Sequence, residues 1–200
     1  MQKEVRLTDG AILLRAYRHD DADQLYDAAR ESLTELLPWM LWAHPDYSID
    51  DSKTWIASCT EKWVKGTEYN FAITDARDGS FLGGCGLYQL NVAGDLDLGY
   101  WVRSTHTRRG IAVAAARLLA SFAFNELKLK RIKVSVAITN LASQRVARKL
   151  GAKRVGVEKD KCIVRDKVYD EVVFLLTPKT AASLSCPVAC PQPVQRCNDI

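Results

Sequence analysis

The chain has 200 residues, 48% of them hydrophobic and 26% charged, with a formal net charge of +4. A length near the roughly 150 residues of one domain, with an average globular composition, excludes a disordered chain, a collagen-like repeat and a bare coiled coil. No apolar run reaches the ~18–20 residues of a membrane span. The first residues, Met1 to Arg6, lack the apolar stretch of a secretory signal, so a cytoplasmic location is expected. The charge is mild and fits an anionic small ligand or an acidic partner about as well as nucleic acid.

Residues 5–7 and 11–16 flank Thr8-Asp9-Gly10, a hairpin signal. His19-Asp20-Asp21-Ala22-Asp23 then places acids where the positive end of a helix favours them, and Leu25, Ala28, Ala29 and Leu33 recur at helical spacing. Pro38 interrupts, and Pro38-Trp39-Met40-Leu41-Trp42 forms an apolar cluster before a loop. Asp50 or Asp51 is placed to cap a further helix with the stripe Trp55, Ile56, Cys59, Trp63 and Val64, which Gly66 ends.

The pattern then changes to period two. Tyr69, Phe71 and Ile73 alternate with more polar residues, residues 75–79 read as a turn, and residues 81–90 read as a second strand containing Gly83, Gly84 and Gly86. Residues 95–103 form a third strand. Leu96, Leu98, Tyr100 and Val102 take one face, and Asp97, Gly99, Trp101 and Arg103 the other. These three strands predict an antiparallel meander.

A long Ala- and Leu-rich helix follows over residues 111–124, then a strand over 130–138 with Ile132, Val134, Val136 and Ile138 in alternation. Asn140 is a helix N-cap and Gly151 a stop for residues 141–150. Residues 152–158 and 168–176 are the last two strands, and Pro178 closes the fold. Residues 179–200 carry three prolines and no sustained period, which predicts a disordered tail after one domain over 1–178. There is no internal repeat. The order defines a mixed α/β fold with a largely antiparallel sheet.

Cys59, Cys85 and Cys162 sit singly among apolar residues, as reduced core fillers do. Cys186, Cys190 and Cys197 do not match zinc spacing and read as free thiols, so no metal site is expected.

The chemistry concentrates between the third strand and the helix after it. Leu98-Gly99-Tyr100-Trp101-Val102 leads through a short basic turn into Arg108-Arg109-Gly110-Ile111-Ala112. The first amides of a helix have no carbonyl partner, and the helix dipole adds about half a positive charge there. Gly110 leaves the backbone accessible to a phosphate, and Arg108 and Arg109 add full charges. A solvated turn accounts for the same residues. The segment is neither a Walker loop nor a dinucleotide fingerprint, since both glycine patterns are missing.

The ordered set of motifs resembles the GNAT superfamily of acyl-CoA N-acyltransferases and, within it, the Rim-type N-terminal acetyltransferases. The set comprises Leu13-Leu14-Arg15 with Asp20-Asp21-Ala22, Pro38-Trp39, Leu98 to Val102 and Arg109-Gly110-Ile111-Ala112. It continues with Asn140-Leu141-Ala142-Ser143, Lys149-Leu150-Gly151-Ala152 and Tyr169-Asp170. It covers about residues 5 to 178. In the family's Gln/Arg-x-x-Gly-x-Gly/Ala signature, Gly110 and Ala112 match and Thr107 departs from the first position.

The resemblance implies a GNAT fold with splayed middle strands and acetyl transfer from acetyl-CoA to an amine in a ternary complex. It places the pyrophosphate on the amides of Arg108, Arg109, Gly110, Ile111, Ala112 and Val113. The pantetheine arm is placed against Trp101, Val102 and Arg103, with Asn140 hydrogen-bonded to it. Ser143 is placed to protonate the departing thiolate, although Asn140 and Ser143 also read as a cap and a first-turn residue. Asp97 is the first candidate for general base and equally reads as a solvated strand-face acid; Glu158 is the second. Cys162 stands where some relatives carry a catalytic Glu. Trp39 or Trp42 is a candidate wall of an acceptor groove. The implied acceptor is a protein or peptide N-terminal amine, with a small-molecule amine as the alternative; an α-amine, with a pKa of about 7.7–8.0, is easier to deprotonate than a lysine. A weakly catalytic acyl-CoA-binding regulator is a further reading. A homodimer is compatible with the resemblance, whereas a membrane partner is not expected, nor nucleic acid, because aromatic and basic residues are not interleaved.

Overall fold

The computed structural model describes residues 5–89 and 96–182. Arg6–Thr8 (β1) and Ile12–Ala16 (β2) form the expected hairpin. Gly10 turns it with φ +91, and the Asp9 carboxylate accepts the amides of Ala11 and Ile12 at 2.9 and 3.0 Å. Three helices follow, Ala22–Glu31 (α1), Leu33–Leu36 (α2) and Ile49–Lys65 (α3). The cap of α3 is Ser48 rather than Asp50 or Asp51. Its hydroxyl accepts the Asp51 amide while the Asp51 carboxylate accepts the Ser48 amide, so Asp51 acts as the returning half of a capping box. Gly66 ends α3 in the left-handed conformation, as the sequence predicts.

Glu68–Asp75 (β3), Phe81–Gln89 (β4) and Leu96–Val102 (β5) are the antiparallel meander. Ile111–Asn125 (α4), Ile132–Ala137 (β6) and Leu141–Lys149 (α5) follow, then Lys153–Val164 (β7), Lys167–Leu176 (β8) and a short helix, Pro178–Ala182 (α6). β7 runs six residues beyond the predicted end at Glu158. It is the outer strand, and its residues are exposed almost throughout, so no apolar alternation marks its continuation. The expected tail beyond Ala182, with Cys186, Cys190 and Cys197, lies outside the described residues, as do Leu90 and Asp95. No helix among the described residues is long and apolar enough to cross a membrane.

The eight strands form one sheet in the order β1-β2-β3-β4-β5-β6-β8-β7. Leu14, Ile73, Leu87, Leu98, Val134 and Phe174 pack from one face against Leu119 and Phe122 of α4. Ala72, Phe81 and Trp101 meet Leu25, Ala28 and Ile56 of α1 and α3 on the other. The alternation read in β5 therefore separates two cores, with Leu96 and Leu98 in the first and Trp101 in the second. Among the described residues, β5 and β6 are the one parallel neighbour pair, bridged at Asp97 and Lys133 alone. Beyond that pair β5 stays registered with β4 as far as Val102, and its other edge parts from β6.

Arg15 and Asp21 fix the entry to α1. The guanidinium donates to both carboxylate oxygens at 2.7 and 2.6 Å, and both residues are buried. Removing Asp21 takes the carboxylate from a buried guanidinium, and breaking such a pair costs about 3–5 kcal/mol. Asp21→Ala is expected to lower unfolding stability in urea by about that amount, whereas a change below about 1 kcal/mol would mean that the pair is solvated.

Candidate active site

The turn into α4 is pinned from below. Ser104 donates its amide to Ser32 Oγ at 2.9 Å and its hydroxyl to Glu35 at 2.8 Å, and the Thr105 amide donates to Glu31 at 3.1 Å. Arg103 pairs with Glu31 at 2.6 Å, and this hydrogen bond holds the Glu31 carboxyl down at about 2. Arg108 at φ +62 and Gly110 at φ +84 then swing the chain into the helix. The first intrahelical bond runs from the Ala114 amide to the Gly110 carbonyl at 3.0 Å. The amides of Ile111, Ala112 and Val113 precede it and lie at the positive end of a fifteen-residue helix. A Cβ at Gly110 would meet nothing within 4 Å, so the space before these amides is open. Arg108 and Arg109 are exposed at its rim, and Arg109 donates to the Thr105 carbonyl at 3.1 Å.

The gap between β5 and β6 opens beside this turn. The Arg103 amide donates to the Leu82 carbonyl at 2.8 Å, and the Trp101 carbonyl points at Gly83, so both peptide groups turn toward β4. Strand alternation turns those of Tyr100 and Val102 toward the gap. Of the three residues expected along a pantetheine arm, Val102 presents its backbone there. Trp101 sends its side chain into the second core, and Arg103 is held by Glu31.

Asn140 and Ser143 stand at the start of α5. The Asn140 side chain accepts the Ser143 amide at 3.0 Å, which is the capping role, and leaves its NH2 group available. The Ser143 and Tyr100 hydroxyls are 2.8 Å apart. Burial pushes the Tyr100 phenol up to about 12, so it keeps its proton at neutral pH. Tyr100 had no role in the sequence reading. Its place two residues before Val102 on the apolar face of β5 marks it only as core.

Asp97 marks the point where the strands part. It is 6% exposed, its Oδ1 accepts the Ser135 amide at 3.1 Å, and its Oδ2 has no hydrogen-bond partner among the described residues. Burial raises its pKa above the ordinary carboxylate value, more than the Ser135 bond and Lys133 lower it. It is thus not a solvated strand-face acid. Lys133 lies 3.5 Å from Glu171 and 3.8 Å from Glu158. Glu158 is exposed, next to the irregularity in β7, and Cys162 is half-buried with its thiol raised by desolvation.

A cavity of about 570 Å³ opens on the face covered by α1 and α3. Its wall includes Tyr17, Trp42, Tyr47, Trp55, Tyr88 and Trp101, with Gly99 and Tyr100 of the unpaired stretch of β5. Trp42 belongs to it, packed on Trp101 at 5.5 Å, whereas Trp39 packs on Tyr169 at 6.1 Å. Arg165, in the β7–β8 turn, donates to the carbonyls of Leu37 and Ala43 and ties down the segment that carries Trp42. A Cβ at Gly99 would come within 2.9 Å of the Tyr88 ring, and one at Gly86 within 2.8 Å of its hydroxyl, so these glycines give Tyr88 its place on the floor. Glu68, Tyr88 and Asp97 are neighbours across three strands. The sequence reading missed Glu68 and Tyr88, yet the alternation of Glu68 and Asn70 with Tyr69 and Phe71 assigns Glu68 to the Asp97 face. His106 is half-buried, with Nδ1 3.0 Å from Thr105 Oγ1, and His44 lies 3.5 Å from Asp51. No group of three or more candidate metal ligands occurs among the described residues.

The family model for the acetyltransferase (GNAT) domain matches residues 11–153. YjcK of Bacillus subtilis, provisionally named an N-acetyltransferase, is 32% identical over 143 residues, covering 70% of this chain and 78% of that protein. YdaF of Bacillus subtilis, provisionally named a ribosomal N-acetyltransferase, is 27% identical over 172 residues, covering 82% of this chain and 90% of its own. The fold is shared with Mycobacterium smegmatis RimJ in complex with CoA-disulfide, at a TM-score of 0.78 and 22% identity, with 90% of this chain and 92% of that one covered. The chain belongs to the GNAT acetyltransferase family and is an N-acetyltransferase with Rim-type relatives.

Asp97 carries a linkage that can be measured. A carboxyl whose folded pKa lies above its unfolded value contributes stability at low pH and loses it as pH rises through the folded pKa. Asp97→Asn is therefore expected to melt higher than the parent at pH 8 and close to it near pH 3.5, below the ordinary value of about 3.9. A lower melting temperature at pH 8 would show that the ionised carboxylate stabilises the fold.

Proposed function

We propose that the protein transfers an acetyl group from acetyl-CoA to a primary amine by direct attack in a ternary complex, and that the amine is the N-terminal α-amine of a protein. One observation carries this reading: the edge of β5 leaves β6 beside the open N-terminus of α4, so a strand edge and an anion cradle adjoin. The name of YdaF supports a ribosomal protein as acceptor.

The residues present fit the donor. The amides of Ile111, Ala112 and Val113, with those of Arg108, Arg109 and Gly110, would hold its pyrophosphate, and the two arginines would add charge. The Val102 peptide group would pair with the amide-bearing arm as an added strand does, and Asn140 would reach it through its NH2 group. Acetyl-CoA supplies an acetyl thioester when bound.

The proton movements fall to this chain. As the amine nitrogen bonds to the acetyl carbon it gives up one proton, and the unpartnered Oδ2 of Asp97 is the base proposed to take it. As the carbon–sulfur bond breaks, Ser143 gives its hydroxyl proton to the sulfur and regains one from solvent, Asp97 releases to solvent the proton it took, and Tyr100 keeps its own proton and holds the Ser143 hydroxyl in place. One proton leaves nitrogen and one reaches sulfur, so the step balances. Desolvation of Asp97 makes it a stronger base than an exposed carboxylate, which suits an α-amine better than a lysine.

Gly110→Leu puts a side chain at the start of α4, where its Cβ meets no protein atom within 4 Å, and costs the fold about 1–2 kcal/mol of backbone strain. Calorimetry with CoA is expected to show binding to the parent and none to the variant; equal affinity would remove the cradle from the account. Asp97→Asn is expected to lower kcat by about a hundredfold or more while leaving the KM for acetyl-CoA unchanged. Thiol release with an N-terminal peptide reads both constants, and an unaltered kcat would transfer the proton to another group.

A further inference from the structure

The cavity on the α1 and α3 face is larger than a bare amine requires. Its volume, about 570 Å³, lies within the range of about 300–1,000 Å³ for small-molecule sites. Its wall is dominated by aromatic rings, with Trp42 seated 5.5 Å from Trp101 and 5.6 Å from Tyr47, and Tyr17 edge-on to Trp55 at 6.4 Å. The charged groups that reach it already have partners. Lys62 and Glu68 pair at 3.1 Å, and Asp51 is engaged by Ser48. Lys62 also lies 5.2 Å from the centre of the Trp55 ring. Lys62 and Glu68 offset each other's charge and the Asp51 side chain is 40% exposed, whereas an apolar ring entering here would be buried among rings.

The position of the cavity supplies the second half of the inference. Gly99, Tyr100 and Trp101 belong both to its wall and to the stretch of β5 that has parted from β6. A nitrogen held at the gap therefore has its own substituent beside the aromatic wall. Gly84 keeps the space clear, since a Cβ there would fall 2.4 Å from the Tyr17 hydroxyl and 2.8 Å from Trp101 Nε1.

We propose that this cavity selects a primary amine bearing a bulky aromatic group within one or two carbons of the nitrogen. Two sources share this chemistry: the first residue of a peptide, and a free arylalkylamine. The inference rests on the reading of the β5–β6 gap as the transfer site, and it assigns the cavity the role of specificity.

The test compares peptides identical except for a first residue of Phe, Trp, Ser or Ala, together with phenethylamine and ethylamine, in thiol release from acetyl-CoA. The Phe- and Trp-initiated peptides, phenethylamine, or both are expected to exceed their small counterparts in kcat/KM at least tenfold. Preference among the peptides alone assigns the source to a chain terminus, and preference among the free amines alone assigns it to a small molecule. Ser58→Phe, which places a ring on the α3 wall of the cavity, is expected to bring the ratio close to one. Without any donor, phenethylamine should change the tryptophan fluorescence of the parent saturably and ethylamine should not. Equal or better use of Ser- and Ala-initiated peptides and of ethylamine, without a saturable fluorescence change, overturns the inference and leaves acetyl transfer standing. If no amine is acetylated, the transfer reading fails, and the fluorescence titration alone decides whether the cavity binds aromatic amines.

Discussion

A single bridging pair between parallel strands governs this molecule. Asp97 and Lys133 hold β5 to β6 at one point, and past it the two strands diverge while β5 remains registered to β4. A buried strand edge without a neighbour leaves peptide groups unpaired, which is costly unless something else supplies hydrogen bonds. The β5 edge past Asp97 lacks its β6 neighbour and is half-buried at Tyr100 and Val102, and it leads directly into the turn whose helix also begins with unpaired amides. Two kinds of unsatisfied backbone thus converge, one suited to an amide-bearing arm and the other to an anion.

The surroundings hold that opening in place without closing it. The Arg103–Glu31 pair and the hydrogen bonds of Ser104 and Thr105 anchor the turn to α1 and α2, so its shape does not depend on the exposed Arg108 and Arg109. On the α4 face, Tyr100 and Ser143 bridge from β5 to the start of α5. On the other face, Asp97 sits dry beside the Ser135 amide, and the glycines of β4 and β5 leave room for Tyr88 and the rings above it. The strands separate two environments, one that keeps hydroxyl protons and one that raises the basicity of a carboxylate.

Much of this architecture is legible in the residues. The strand over 95–103, the Ala-rich helix and the Asn140 cap all follow from local patterns, and β5 divides its side chains between two cores as its alternation predicts. Three features are not local. Which peptide groups of β5 face the gap is set by pairing with β4, so Trp101, Val102 and Arg103 look equivalent in sequence but are not in space. The Tyr100–Ser143 contact spans 43 positions and joins a strand to a helix that no periodicity connects. The aromatic cavity combines residues of the loop after β2, the loop after α2, α1, α3, β3, β4 and β5, whose rings each read as ordinary core in their own segments. Asp97 shows the reverse case. Its parity on the strand was readable, but its burial depends on the strand that arrives 36 residues later.

The most direct test of the parted strands is amide hydrogen exchange with and without CoA, resolved by residue. CoA is expected to slow exchange at Tyr100, Val102, Ile111, Ala112 and Val113, while Leu14 and Phe174, inside the paired sheet, stay as they are. Unchanged exchange at Val102 and at the first amides of α4 under saturating CoA would contradict the reading of the parted strands as the CoA site.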